Sequence, residues 1–196
     1  MPLPDERVVT GDDGRTRCWW CGADPLYVAY HDDEWGRPTR DEHELFELLC
    51  LEGAQAGLAW ITILRKREGY RRAFDGFDPD RMAVYGPDDQ ARLLADAGIV
   101  RNRAKVAAFI GNARSLLAMH ERGETLSELV WAHRAPPRPA PLAPDVDYPT
   151  TSVAATALAV ELKRRGFAFV GPTIVYAYLQ SAGVVDDHLA GCWRAR

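Results

Sequence analysis

Apolar residues recur at three- and four-residue spacing through most of this chain, and no run alternates with the period of a half-buried strand. With Asp41 as N-cap, Leu45, Leu48 and Leu49 mark a helix running to about Gly57, and a shorter stretch, Leu58–Arg65, follows. Asp78-Pro79 and Gly86-Pro87 each place a proline in a first helical turn, where its missing N–H costs nothing. Gln90–Ala97 and Val100–Met119 then read as helices on either side of Gly98, a helix–hairpin–helix pattern. Residues 136–149 hold six prolines and are predicted to be a loop. Beyond it, Thr151 or Ser152 can cap a helix that runs to Arg165 and stops at Gly166, and Thr173–Ala182 is the last substantial helix. The pattern predicts an all-α fold: a loose polar leader over 1–16, then one domain over 17–196 in two helical lobes.

With 196 residues and 47% hydrophobic content, the chain can bury a core without a disulfide framework. Its longest apolar stretch, Phe167–Leu179, is broken by Gly171 and Pro172 and is too short to span a bilayer. The N-terminus lacks a signal-peptide layout, so an intracellular, cytoplasmic protein is expected. In that setting the four cysteines read as thiols or metal ligands, with Cys50 a core residue inside Leu45–Leu51. A net charge of −4 argues mildly against a nucleic-acid partner, but the arginines and lysines are clustered, so local patches must decide.

Cys18 and His31 lie near the start of the domain, and His188 and Cys192 lie at its end with three residues between them. One tetrahedral site drawing on both pairs would tie the termini together and leave no open position for an activating water. Spacing alone leaves scattered core residues as an equal alternative. Cys18-Trp19-Trp20-Cys21 has redox-motif spacing, but no βαβ pattern surrounds it, so Cys21 is left as a spare or competing ligand.

Glu52 continues the Leu45, Leu48, Leu49 stripe and so points where a leucine is expected. A glutamate at the stripe's edge, paired with an arginine, is the bland alternative. Trp20, Tyr27, Tyr30, Trp35 and Trp60 change the balance, because aromatic walls around one polar group suit a flat heteroaromatic ligand. At the hairpin, Gly98 permits a sharp turn that leaves the second helix's first amides free for an anion, and Arg101, Arg103 and Lys105 follow directly. Such a hairpin can grip a DNA backbone without reading sequence, although the same arginines also suit a solvated face. Arg65-Lys66-Arg67 and Lys163-Arg164-Arg165 are two further basic clusters.

The stretches CWWCGADPLYVAYHDDEWG (18–36), LFELLCLEGAQAGLAWITILRKREGYR (45–71), DAGIVRNRAKVAAFIGNAR (96–114) and KRRGFAFVGPTIVYAYLQSAGVVDDHLAGC (163–192) resemble the DNA-3-methyladenine glycosylase I family, over about residues 17–192. The resemblance implies a helix–hairpin–helix glycosylase fold with a structural zinc held by Cys18, His31, His188 and Cys192. It implies Glu52 as the base-recognising carboxylate, Tyr30 as a pocket tyrosine and Trp60 as the ring that stacks on the base. Trp20, Tyr27 and Trp35 fall on flanking aromatic positions, and Leu58, after Gly57, falls where the family wedges into the DNA stack. The implied reaction is hydrolysis of the N-glycosidic bond of 3-methyladenine in alkylated double-stranded DNA, with no nucleotide cofactor and no membrane partner; a nucleoid-associated protein is expected, with a monomer as the default state. An adenine methylated at N3 is cationic and leaves as a neutral base, so little acid catalysis is needed. No Asp occurs between Asp96 and Asp145, where many relatives in the wider superfamily carry one soon after the hairpin. Of the three lysines, Lys66, Lys105 and Lys163, none is evidently placed for a Schiff base, so a monofunctional enzyme without strand cleavage is expected.

Overall fold

The computed structural model describes residues 7–195, nearly all of them in helices and the turns between them. Part of the expected leader departs from the prediction. Val8–Thr10 (β1) and Thr16–Cys18 (β2) form a two-stranded antiparallel hairpin in which Val8 faces Cys18 and Thr10 faces Thr16. Residues 1–6 of that leader lie outside the described residues. The hairpin is too short for a period-2 signal to emerge, and polar bonds hold it. Arg17 is buried between Asp13 and Asp32, and Arg7 pairs with Asp147 at 2.5 Å across the chain.

Nine helices follow among the described residues: α1 (Pro25–Asp33), α2 (Glu42–Gln55), α3 (Trp60–Ala73), α4 (Pro79–Ala83), α5 (Pro87–Ala95), α6 (Arg103–Glu121), α7 (Leu126–Ala132), α8 (Val153–Arg164) and α9 (Pro172–Ser181). Their starts are chemically marked. Asp24, Asp41, Asp78, Asn102, Thr125 and Ser152 each accept a first-turn backbone N–H, and proline opens α1, α4, α5 and α9. α3 runs well past the predicted Arg65 because Ile63, Leu64, Tyr70 and Ala73 keep one face buried, while the charged run Arg65-Lys66-Arg67 occupies the other.

α2 is the axis of the molecule. Leu45, Phe46, Leu49, Cys50 and Ala54 are fully enclosed, and the helix packs against α3, α6, α7 and α9. One continuous core joins this region to an aromatic stack of Tyr70, Phe74, Phe77 and Phe109 between α3 and α6. The turn between α5 and α6 is pressed onto α3 so closely that a Cβ on Gly69 would lie 2.3 Å from the Gly98 carbonyl oxygen. Among the described residues no helix is long and apolar enough to cross a membrane.

Candidate functional site: a base-sized pocket beside a Cys/His cluster

β2 delivers Cys18, α1 delivers His31, and the segment after α9 delivers His188 and Cys192. All four are buried, and their ligand atoms lie within 4.8 Å of one another. Cys192 Sγ is 3.5 Å from His31 Nε2 and 3.6 Å from His188 Nδ1, and Cys18 Sγ is 3.9 Å from His188 Nδ1. These separations match the edges of a tetrahedron with metal–ligand bonds of about 2.0–2.3 Å. The tautomers agree as well. His31 turns Nδ1 to the Asp32 carboxylate at 2.8 Å, leaving Nε2 for the cluster, and His188 turns Nε2 to the Trp35 carbonyl at 3.3 Å, leaving Nδ1. Burial works against ionisation of Asp32, but hydrogen bonds from Arg17, His31 and Trp193 outweigh it and hold that carboxyl at about 2. The donor set therefore fits a metal ion with no position left open. Cys21 is not part of it: its thiol donates to the Cys18 carbonyl at 3.1 Å, and burial pushes it up to about 11.

The cluster shares a wall with a cavity of about 200 Å³. Trp35 meets the His188 ring edge-on at 4.6 Å, and Trp20 lies 5.2 Å from the His31 ring and 4.9 Å from Trp35. Tyr30, the neighbour of His31 on α1, stands 5.4 Å from Trp60 on α3. Trp20, Tyr27, Tyr30, Trp35 and Trp60 all line this cavity, so the five aromatics singled out in the sequence converge on one space. That space is smaller than the roughly 300–1,000 Å³ of sites for drug-sized ligands, and it suits one flat ring system.

Glu52 also lines the cavity, and it is 4% exposed. One of its carboxyl oxygens, Oε2, is buried with no hydrogen-bond partner. Burial pushes its carboxyl up to about 8 and drives the Tyr30 phenol well above its ordinary value. Another orphaned polar atom, Trp60 Nε1, belongs to a residue of the same lining, whereas the Tyr148 hydroxyl is turned to the Cys18 thiol. A buried polar atom left unpaired costs free energy, and an unpaired carboxyl oxygen on a residue that lines a cavity suits a polar ligand.

Some of the lining was not foreseen. Gln55 sits three residues after Glu52 on the same helix face, a spacing that could have flagged it; Ala177 and Gln180 come from α9, and Tyr148 and Pro149 come from the proline-rich segment. That segment is coil pinned at several points. Arg138 hydrogen-bonds the Tyr176 hydroxyl, Leu142 bridges to Leu189, and Tyr148 lies 5.2 Å from Trp19. The one aromatic residue within 136–149 was its only sequence signal.

The residues expected to meet DNA divide. Leu58 is exposed in the loop between α2 and α3, after Gly57 at φ +78°. Arg101 and Arg103 are exposed and form no ion pair among the described residues. Gly98 differs from expectation, since its amide already donates to Asp96 at 2.6 Å and its role is close approach to α3. Lys105 differs more. It is 7% exposed, and its ammonium donates to the Ala54 and Ala56 carbonyls, so it does not face a phosphate. The other basic clusters are largely spent internally. Arg65 pairs with Asp24, Arg67 with Glu34, and Arg165 with Glu124 and Glu161.

A helical fold that holds a base-sized aromatic pocket around a buried carboxyl, next to a closed Cys/His cluster, defines a protein built to enclose a single flat heterocycle. The methyladenine glycosylase family model matches residues 20–195, and the chain belongs to that family. It is 49% identical over 177 residues to DNA-3-methyladenine glycosylase 1 of Escherichia coli (strain K12), covering 90% of this chain and 95% of that one. A crystal structure of a 3-methyladenine DNA glycosylase I superposes with a TM-score of 0.89 at 49% identity, over 92% of this chain and all of the other. A Staphylococcus aureus 3-methyladenine DNA glycosylase I, solved to explain its recognition of 3-methyladenine, superposes with a TM-score of 0.83 at 37% identity, over 87% of this chain and 92% of that one.

Proposed function

We propose that this protein hydrolyses the N-glycosidic bond of 3-methyladenine in alkylated double-stranded DNA, acting as a monomer on a base flipped out of the helix. The observation that carries the reading is the Glu52 carboxyl, buried in the aromatic pocket with an unpaired oxygen. In the empty pocket burial favours its neutral form. A cationic N3-methylated adenine reverses that balance, because a positive charge beside the carboxyl favours the anion, which then accepts hydrogen bonds from the base. Tyr30 and Trp60 add ring faces that attract a cation, and Trp20, Tyr27 and Trp35 complete the enclosure. An unmethylated adenine brings no such charge, so nothing offsets burial and the carboxyl stays neutral.

The leaving base departs neutral, so selection of a bond that is already weak does most of the chemistry. No lysine takes part. Lys66 donates to the Ala97 carbonyl, Lys105 to Ala54 and Ala56, and Lys163 lies exposed at the end of α8, which supports base removal without strand cleavage. The hairpin of α5 and α6 offers Arg101 and Arg103 to the DNA backbone, and Leu58 enters the stack where the base has left. Zinc, held by Cys18, His31, His188 and Cys192, would tie β2 and α1 to the C-terminal segment and take no part in hydrolysis. The decisive test is chromatography of bases released from methylated duplex DNA. The native protein should release 3-methyladenine, and Glu52→Gln should lower the rate by about 100-fold or more, within the range seen when one preorganised polar group is removed. Undiminished release by the variant overturns the role given to Glu52.

A further inference from the structure

Lys105 lies in the first turn of α6, directly after the hairpin turn, where a basic residue would ordinarily face solvent. It is buried instead, and its ammonium donates to the carbonyls of Ala54 at 2.8 Å and Ala56 at 2.7 Å. It forms no ion pair among the described residues. Its counter-charge is the negative end of α2, which closes at Gln55 with Ala56 as C-cap. Burial lowers the Lys105 ammonium, so these two carbonyls must offset the cost of keeping it charged.

What those carbonyls carry gives the bond its significance. Ala54 and Ala56 flank Gln55, which lines the base pocket and accepts the Leu58 amide at 2.6 Å. Glu52 is three residues upstream of Gln55, nearly one helical turn, and Gly57 and Leu58 follow directly. On the other side, the hairpin turn is locked to α3 by the contact between Gly69 and Gly98 and by Lys66 on the Ala97 carbonyl. Among the described residues, the hydrogen bonds that tie the end of α2, and with it the exposed Leu58 loop, to the hairpin side are the two from Lys105.

We propose that Lys105 is a positioning residue that sets the Gly57–Leu58 loop at a fixed offset from the Arg101 and Arg103 hairpin, so that gripping the backbone and opening the stack occur in register. The proposal rests on the reading of Leu58 as the residue that enters the duplex. Released from Lys105, the loop keeps its sequence but loses its alignment, and a misplacement of about 1 Å can cost about 100-fold in rate.

The test compares Lys105→Met, Lys105→Gln, Leu58→Ala and the Lys105→Met/Leu58→Ala double variant in two measurements. One is single-turnover release of 3-methyladenine from methylated duplex DNA, and the other is binding of free 3-methyladenine followed by tryptophan fluorescence. Lys105→Met should slow release by about 10- to 100-fold while free-base affinity stays within about twofold, since no contact with the base is touched. Lys105→Gln, which keeps one donor, should fall between that variant and the native protein, and it decides the matter if Lys105→Met fails to fold. The double variant should be no slower than the slower single variant, because both changes disable one device. Release within twofold of native for Lys105→Gln overturns the proposal, as does a parallel loss of free-base affinity, which would mark a purely structural tie. Losses that multiply in the double variant overturn it while leaving the wedge reading intact. A silent Leu58→Ala removes the wedge reading, and the Lys105 proposal with it.

Discussion

On one side of Trp20 and Trp35 lie two thiols and two imidazoles; on the other lies a single carboxyl among aromatic rings. The first group is closed, since each imidazole has its outward nitrogen committed to Asp32 or to the Trp35 carbonyl and turns the other inward. The second is open, with Glu52 Oε2 and Trp60 Nε1 unpaired. Burial is nearly equal in the two, so burial does not separate a structural site from a recognition site. What separates them is whether the fold itself satisfies the polar atoms. A closed set contributes stability, whereas an open set costs stability and gains it back only from a ligand.

Removing the zinc proposed for the first set should therefore produce the largest effect, and on both sides of the wall. With zinc chelated, or with His188→Ala, we expect a loss of about 3–5 kcal/mol and a fall in melting temperature of roughly 10 °C or more. Free-base binding should fail with it, because Trp20 and Trp35 pack on the His31 and His188 rings. Elemental analysis with thermal melting checks this, and an unchanged melt after complete metal removal would break the comparison on its closed side.

Glu52→Gln should move stability the other way. The ordinary glutamate value is 4.5, and burial carries Glu52 to about 8, so between those limits the folded state keeps a proton that the unfolded state has lost. Stability contributed through this group therefore falls as pH rises from about 4.5 to about 8. The glutamine variant, which has nothing to ionise, should melt above the native protein at pH 8, by on the order of a few kcal/mol. The gap should close at pH 4.5 and below. Parallel melting curves across that range, with no pH-dependent gap, would mean that Glu52 is satisfied in the empty pocket.

Much of this was legible in the sequence, and the parts that were not share a cause. Helix caps such as Asp41 and Ser152 act within three residues, so a local pattern reveals them. Glu52 was visible because it violates a local pattern, a carboxyl in a leucine stripe. Lys105 violates one too, but only after folding. In the chain it is the third of three basic residues after the hairpin, and nothing local says that Ala54 and Ala56 will be there to receive it. The β-hairpin in the expected leader was hidden because Arg17 is held by Asp13 and Asp32, pairs that carry no periodicity. The metal set fell between these cases: its residue types were legible, and its convergence depended on bringing residues 18 and 192 together.

The smallest expected effect concerns the wall supplied by the proline-rich segment. Tyr148 offers the pocket a ring while its hydroxyl lies against the Cys18 thiol, and only substitution separates the two. The hydroxyl sits on a ring packed against Trp19. If the ring is what matters, Tyr148→Phe should leave free-base affinity within about twofold and change stability by no more than about 1 kcal/mol. Tyr148→Ala should weaken the base by about 2- to 10-fold through the lost aromatic contact. Fluorescence titration of the two variants reads the difference. Equal losses would mean that the hydroxyl's contact with Cys18 is what holds the ring on the pocket. A loss confined to Tyr148→Ala would make Tyr148 a part of the enclosure alone, and would leave the carboxyl as the atom pair on which selection of a charged base depends.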